Sequence, residues 1–140
     1  MHSSFKSVQE ILEKTKNEIV VNGSDLPQDV KDMLCYIRKN LFNDSLTISE
    51  MRNDLRILNK NYAARFKLYT GYNPKIYIIV KRLETAKKIL TKTELSITQV
   101  SIALGFLSHS SFSKIFIKSF GISPSKWIDE ELNSDKNSQK

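Results

Sequence analysis

The feature that most restricts this chain is an internal repeat. Phe66, Gly71, Pro74 and Tyr77 are matched by Phe116, Gly121, Pro124 and Trp127, each 50 positions later. Upstream, Leu46, Ile48, Met51 and Leu55 are matched by Leu95, Ile97, Val100 and Leu104, each 49 positions later. The change of offset places a one-residue insertion in the turn between the two sets. Eight matched positions at fixed spacing mark a duplicated unit of about 50 residues, each copy one supersecondary element.

Both copies follow one grammar. A short helix opens on a polar cap, Thr47 or Ser49 in the first copy and Ser96 or Thr98 in the second. It meets a tight break, which in the second copy is Leu104-Gly105-Phe106, where glycine supplies a positive φ. A second short helix buries Tyr62 and Phe66, or Phe112, Ile115 and Phe116, and ends at Gly71 or Gly121. Two short helices joined by a turn of three or four residues form a helix-turn-helix. Between the copies, Pro74 to Thr91 reads as one helix, with Ile76, Tyr77, Val80, Leu83, Ala86, Lys87 and Leu90 at helical spacing. At ~1.5 Å per residue it spans about 27 Å. A rod of that length can hold two recognition helices near one DNA turn apart, ~34 Å.

The flanks are helical too. Phe5, Val8, Ile11, Leu12, Thr15 and Ile19 form an apolar stripe, broken by Asn22-Gly23-Ser24-Asp25. Pro27 is placed to start a further helix burying Val30, Met33, Leu34, Ile37 and Leu41, which ends near Asn43-Asp44. The segment from Asn133 to Lys140 is wholly polar and reads as a frayed tail. The expected fold is all-α: two helix-turn-helix subdomains joined by a long linker helix, about seven helices plus an N-terminal amphipathic one. Residues 1–25 form that helix and its linker, 26–128 the double helix-turn-helix domain, and 129–140 an acidic, polar tail.

The net charge of +7 is concentrated. Between Leu26 and Ile128 there are 17 Lys and Arg against 7 Asp and Glu, a net +10; the two ends together carry −3. A basic folded block points to a polyanion, nucleic acid ahead of an anionic membrane, with a merely solubilising surface as the bland alternative. No apolar run approaches the ~20 residues of a membrane span. Lys6, Glu10, Glu13, Lys14 and Lys16 exclude an apolar signal segment, so a cytoplasmic protein is expected. The single cysteine, Cys35, excludes an intramolecular disulfide and a multi-cysteine zinc site, and reads as a buried, unreactive thiol. His2 and His109 lie far apart without ligand partners at metal spacing, and Trp127 reads as core. No paired carboxylates, glycine-rich phosphate loop or triad-like set appears, which argues against an enzyme. No cofactor, metal or small-molecule ligand is expected.

From Asp29 to Ile128 the chain resembles the DNA-binding domain of the AraC/XylS family of transcription regulators. The most specific stretch is Ser96-Ile97-Thr98-Gln99-Val100-Ser101-Ile102-Ala103-Leu104-Gly105-Phe106. Ser110-Ser111-Phe112-Ser113-Lys114-Ile115-Phe116 and Gly121-Ile122-Ser123-Pro124-Ser125 continue it. Tyr77, Arg82-Leu83, Ala86 and Leu90 match the family's linker helix. The resemblance implies a bacterial regulator, typically an activator, that binds promoter double-stranded DNA and contacts RNA polymerase. Family members usually carry a sensor or dimerisation domain ahead of this one. The chain departs from the pattern at Arg52, where alanine is usual, and at Leu58, where a serine cap is usual, so Asn59 is expected to cap one residue late. It departs also at Ala63 and Ala64, which offer only methyl contacts, at Ser111 and at Ile117. These changes predict a first unit that binds weakly or mostly through phosphates.

The recognition residues follow. In the second unit Ser110, Ser113, Lys114 and Ile117 point outward, with Ser108 and His109 at the helix start. Lys114 matches the family's base-reading position and can donate to guanine. In the first unit the candidates are Asn59, Lys60, Asn61, Ala63, Ala64 and Lys67. Arg65, Lys67 and Lys118 are expected to anchor phosphates, which position without specifying. Arg82 is expected to hold the two halves together. The rival reading is a protein-interaction module, its basic helices binding an acidic partner from the transcription machinery with DNA binding vestigial. An anionic-membrane binder is weaker, because the basic residues are not confined to one amphipathic helix.

Overall fold

The computed structural model describes residues 2–19, 21 and 25–138, with side chains described from Lys6 to Ser134 within them. Among these residues the chain forms eight α-helices and no strand. They are α1 (His2–Glu18), α2 (Gln28–Asn40), α3 (Ile48–Asp54), α4 (Tyr62–Thr70), α5 (Pro74–Lys92), α6 (Ile97–Ala103), α7 (His109–Phe120) and α8 (Pro124–Ser138). The break assigned to Asn22-Gly23-Ser24 lies outside the described residues. No helix among the described residues is long and apolar enough to cross a membrane.

The repeat is visible as repeated backbone. α3 opens on Thr47, whose hydroxyl accepts the Glu50 N–H at 3.1 Å. α6 opens on Ser96 with a full capping box, Ser96 and Gln99 each accepting the other's backbone N–H. Both short helices end in the same 6→1 closure, Ile57 N–H on Arg52 O at 2.9 Å and Phe106 N–H on Ser101 O at 3.0 Å. That closure needs one residue with positive φ. Gly105 provides it at 90°, and its counterpart is Arg56 at 54°, the one non-glycine in that region among the described residues. α4 and α7 then end alike, on Gly71 at φ 89° and Gly121 at φ 83°.

The single long helix serves two cores. One gathers Val30, Met33, Leu34, Ile37 and Leu41 of α2 with Met51, Phe66, Tyr77 and Ile78. The other gathers Leu83, Ala86, Ile89 and Leu90 of α5 with Val100, Leu104, Phe106, Phe112 and Phe116. α5 therefore gives its first half to one unit and its second half to the other. α1 lies along it, with Val8 and Leu12 in the second core and Ile19, just past the helix end, in the first. It packs on both units.

Three expectations change on contact with the structure. Cys35 is exposed, not buried, because the buried stripe of α2 runs through Met33, Leu34 and Ile37 and leaves position 35 on the far side. α8 continues as helix to Ser138, where composition suggested a frayed tail from Asn133. Trp127 is half-buried rather than fully core, edge-on to Phe116 with ring centroids 6.1 Å apart.

The units are joined at Arg82. This buried side chain of α5 donates Nε–H to Leu41 O at 2.8 Å, Nη2–H to Asn43 O at 3.0 Å and Nη1–H to Gly105 O at 3.3 Å. Two of those carbonyls belong to the end of the first unit's α2 and its exit, the third to the turn of the second helix-turn-helix. Burial pushes the guanidinium down to about 10, still charged at neutral pH. It tiles over the Phe106 ring at 5.6 Å as well. The expected linking role is its observed one.

Candidate nucleic-acid interface

α4 and α7 each have a dry face and a wet face set by residue type. On α7, Phe112 and Phe116 are fully buried and stack edge-on, with centroids 5.7 Å apart. Ser110, Lys114, Ile117 and Lys118 occupy the opposite arc and are exposed, while Ser113 sits half-buried on the flank. On α4, Phe66 is fully buried against Tyr77 and Tyr62 is half-buried, leaving Lys60, Ala64, Lys67 and Leu68 exposed, with Ala63 half-buried.

The start of α7 is built from serines. Ser108 caps it, its Oγ accepting the Ser111 N–H at 3.0 Å and donating to Ser111 Oγ at 3.1 Å. His109 is exposed and its Nδ1 lies 3.1 Å from Thr98 Oγ1, tying the first turn of α7 to α6. Ser108 and Ser111 are therefore engaged in shaping the helix start, while Ser110 and Lys114 stay outward. The first free N–H groups of a 12-residue helix face solvent here.

The first unit lacks that construction. Leu58 stands at the position of Ser108 and is 90% exposed. Without a hydroxyl there, Asn59 Oδ1 accepts the Asn61 N–H at 2.9 Å in a local turn, and regular helix begins only at Tyr62. The expected late cap at Asn59 thus appears as a turn rather than a helix cap, and α4 has 9 residues against 12 in α7. Arg52 adds to the difference. It occupies the place of the fully buried Ser101, stacks its guanidinium 4.7 Å over the Tyr62 ring, and leaves its Nε buried without a hydrogen-bond partner. α6 packs directly on α7, whereas α3 makes little direct contact with α4. We expect Leu58→Ser to restore the missing cap and raise stability by about 1 kcal/mol; a lengthened α4 should appear as added amide protection at residues 60–62, and unchanged protection would refute it.

Arg65 is the one expected anchor that the structure diverts. Its Nε–H and Nη2–H reach both carboxylate oxygens of Asp29 at 2.7 and 3.0 Å, a bidentate pair holding α4 to α2. The pairing holds the Asp29 carboxyl below its usual range. Its guanidinium fork is already committed, so its first role is packing. A second feature unseen in the sequence is Tyr36, whose hydroxyl donates to Asp54 at 2.5 Å and is pushed up to about 12 by that carboxylate, pinning α2 to α3. Both pairs join residues far apart in the chain, with nothing local to signal them.

Comparison with known proteins adds the ancestry. The model of a helix-turn-helix domain family matches residues 55–130, more than half of the chain. The chain is 39% identical over 103 residues to an uncharacterized HTH-type transcriptional regulator, YobQ, of Bacillus subtilis, covering 74% of this chain and 42% of that protein. Its fold is similar to the C-terminal domain of AraT, a response regulator from Geobacillus stearothermophilus, with a TM-score of 0.70 at 25% identity over 76% of this chain and 88% of that one. It is also similar in fold to the DNA-binding domain of AdpA, solved in complex with a target DNA, with a TM-score of 0.64 at 19% identity over 73% and 91%. The chain spans less than half the length of these curated relatives, 42% of YobQ and 37% of LumQ from Photobacterium leiognathi. With the duplicated units, the shared caps and the matched family model together, this chain belongs to the AraC-type helix-turn-helix family.

Proposed function

We propose that this protein is a sequence-specific, double-stranded DNA-binding transcription regulator that sets α4 and α7 into successive major grooves on one face of a promoter. The observation that carries the reading is a repeated polarity. In each unit the second helix buries a phenylalanine face, Phe66 or Phe112 and Phe116, and leaves lysine exposed, Lys67 or Lys114 and Lys118, within a block of net charge +10. The naming of its relatives as transcriptional regulators and the solved complex of a similarly folded domain with its target DNA support it. One chain with two readers does the work of a dimer of single readers.

In this reading residues 26–128 are the DNA-binding domain and α1 is a strap along its long helix. Lys114 donates to guanine O6 or N7 from the centre of α7. Lys60 and Asn61 approach base edges from the turn before α4, and Lys67 and Lys118 hold phosphates. The N-terminus of α7, with Ser108, His109 and Ser110, presents N–H groups to a phosphate. The protein acts in the cytoplasm, as an activator, through contact with RNA polymerase. The shortened α4 and the engaged Arg65 favour one rival, an acidic protein partner for the basic helices.

The test is selection of bound duplexes from a random library, followed by titration of salt. We expect a selected site covering two helical turns and a log–log salt slope of roughly −5 to −9, from about 6–10 neutralised phosphates. Lys114→Ala should weaken binding to the selected duplex by about 1–3 kcal/mol and relax one base pair. Equal weakening on random duplex would reduce Lys114 to a phosphate anchor. Failure to enrich any duplex would overturn DNA recognition and leave the rival.

A further inference from the structure

The outward faces of α4 and α7 differ in chemistry at matched positions. Ala64 and Leu68 stand where α7 carries Lys114 and Lys118. Ala64 is exposed and Leu68, one turn on, is 76% exposed, so together they make an apolar strip on the wet side of α4. Lys67 on α4 and Lys60 in the turn before it border this strip and are themselves exposed. Leu68 belongs neither to the Phe66 core nor to the side chains packed against it, so burial does not account for it.

We propose that the first unit reads the 5-methyl groups of thymines through Ala64 and Leu68, with Lys67 on an adjoining phosphate and Lys60 at the edge of a neighbouring base; this rests on the DNA reading above and specifies its chemistry. Neither side chain can donate or accept a hydrogen bond, so neither can recognise guanine, adenine or cytosine by its polar edge. The thymine methyl is the apolar group a base presents in the major groove. An apolar protein partner would fit the leucine but not the lysines bordering it, whereas a phosphate-walled groove with a methyl at its floor fits both. The departures at Ala64 and Leu58 then leave a reader of different chemistry rather than a vestige. The two units read unlike half-sites, guanine-bearing for α7 and thymine-bearing for α4, and an asymmetric operator fixes the direction in which the chain lies.

The experiment replaces each thymine of the selected duplex in turn by deoxyuridine, which removes only the methyl. One or two replacements in the half bound by α4 should each weaken binding about four-fold, the partition of one methyl group. Leu68→Ala should weaken the thymine duplex similarly and be indifferent to deoxyuridine at one of those positions. Its site is exposed, so unchanged circular dichroism is expected. Ala64→Lys, which copies Lys114, should shift selection in that half from thymine towards guanine. Deoxyuridine without effect at every position would overturn the proposal, as would equal penalties in wild type and both variants. If no duplex is selected at all, the DNA reading itself fails. If duplexes are selected but remain indifferent to the methyl, only the thymine assignment fails.

Discussion

Replacing Arg82 by methionine is expected to lower stability by about 3–4 kcal/mol, read as a fall in the urea midpoint. Two effects oppose each other here. Methionine relieves the desolvation of a buried guanidinium, which for many buried charges makes an apolar replacement nearly neutral. Yet this guanidinium forms no carboxylate pair among the described residues; it satisfies the carbonyls of Leu41, Asn43 and Gly105. Leu41 O and Gly105 O would be left buried and unpaired at about 1–3 kcal/mol each, while Asn43 O keeps the Leu46 N–H, and the two losses outweigh the relief. Those carbonyls lie in both units, so the loss should also free the angle between them. Binding to a two-turn duplex should then fall further than binding to a one-turn duplex. A midpoint within about 1 kcal/mol of wild type would show that water replaces the guanidinium without penalty.

Gly105→Ala is expected to cost about 3 kcal/mol, and Gly71→Ala only about 1 kcal/mol, although the two glycines share nearly the same backbone. Both have φ near +90°, which strains any residue with a Cβ. At Gly71 nothing lies within 4 Å of the added atom. At Gly105 the Cβ would sit 2.8 Å from Arg82 Nη2 and 3.0 Å from the carbonyl carbon of Phe42. The backbone carbon cannot yield, and Arg82 can yield only by breaking its bonds to Leu41 and Asn43. The Gly105→Ala and Arg82→Met losses should therefore be less than additive, because the second change removes the atom that the first one strikes. Equal losses at Gly105 and Gly71 would show that strain, and not the clash, dominates.

The two units diverge by physical steps that can each be traced. A leucine for a serine at position 58 removes a hydroxyl acceptor, and α4 starts three residues later than α7 by the repeat's own numbering. An arginine for a serine at the place of Ser101 puts a guanidinium between two helices that otherwise touch. An arginine for a glycine at position 56 holds the same left-handed turn at greater strain. Changes of this kind are local; those at Leu58 and Arg52 stood out as departures in the chain, whereas Arg56 shows only through its backbone.

What the amino-acid order determined by itself is whatever short-range chemistry dictates. Gly71, Gly105 and Gly121 stop helices because each needs a left-handed residue there, and a polar residue starts α3 and α6 because a side-chain oxygen must meet a free N–H, although the choice of Thr47 over Ser49 and of Ser96 over Thr98 belongs to the structure. Period and spacing likewise set the eight helices, the dry faces of α4 and α7, and the outward place of Lys114. Tertiary structure alone decided what depends on partners distant in the chain. It turned Cys35 to solvent, took Arg65 for Asp29, laid α1 across both cores, and gathered Leu41, Asn43 and Gly105 around one guanidinium. Helical periodicity states which residues share a face; only packing states which neighbour that face meets, since burial and pairing are properties of two surfaces and not of one.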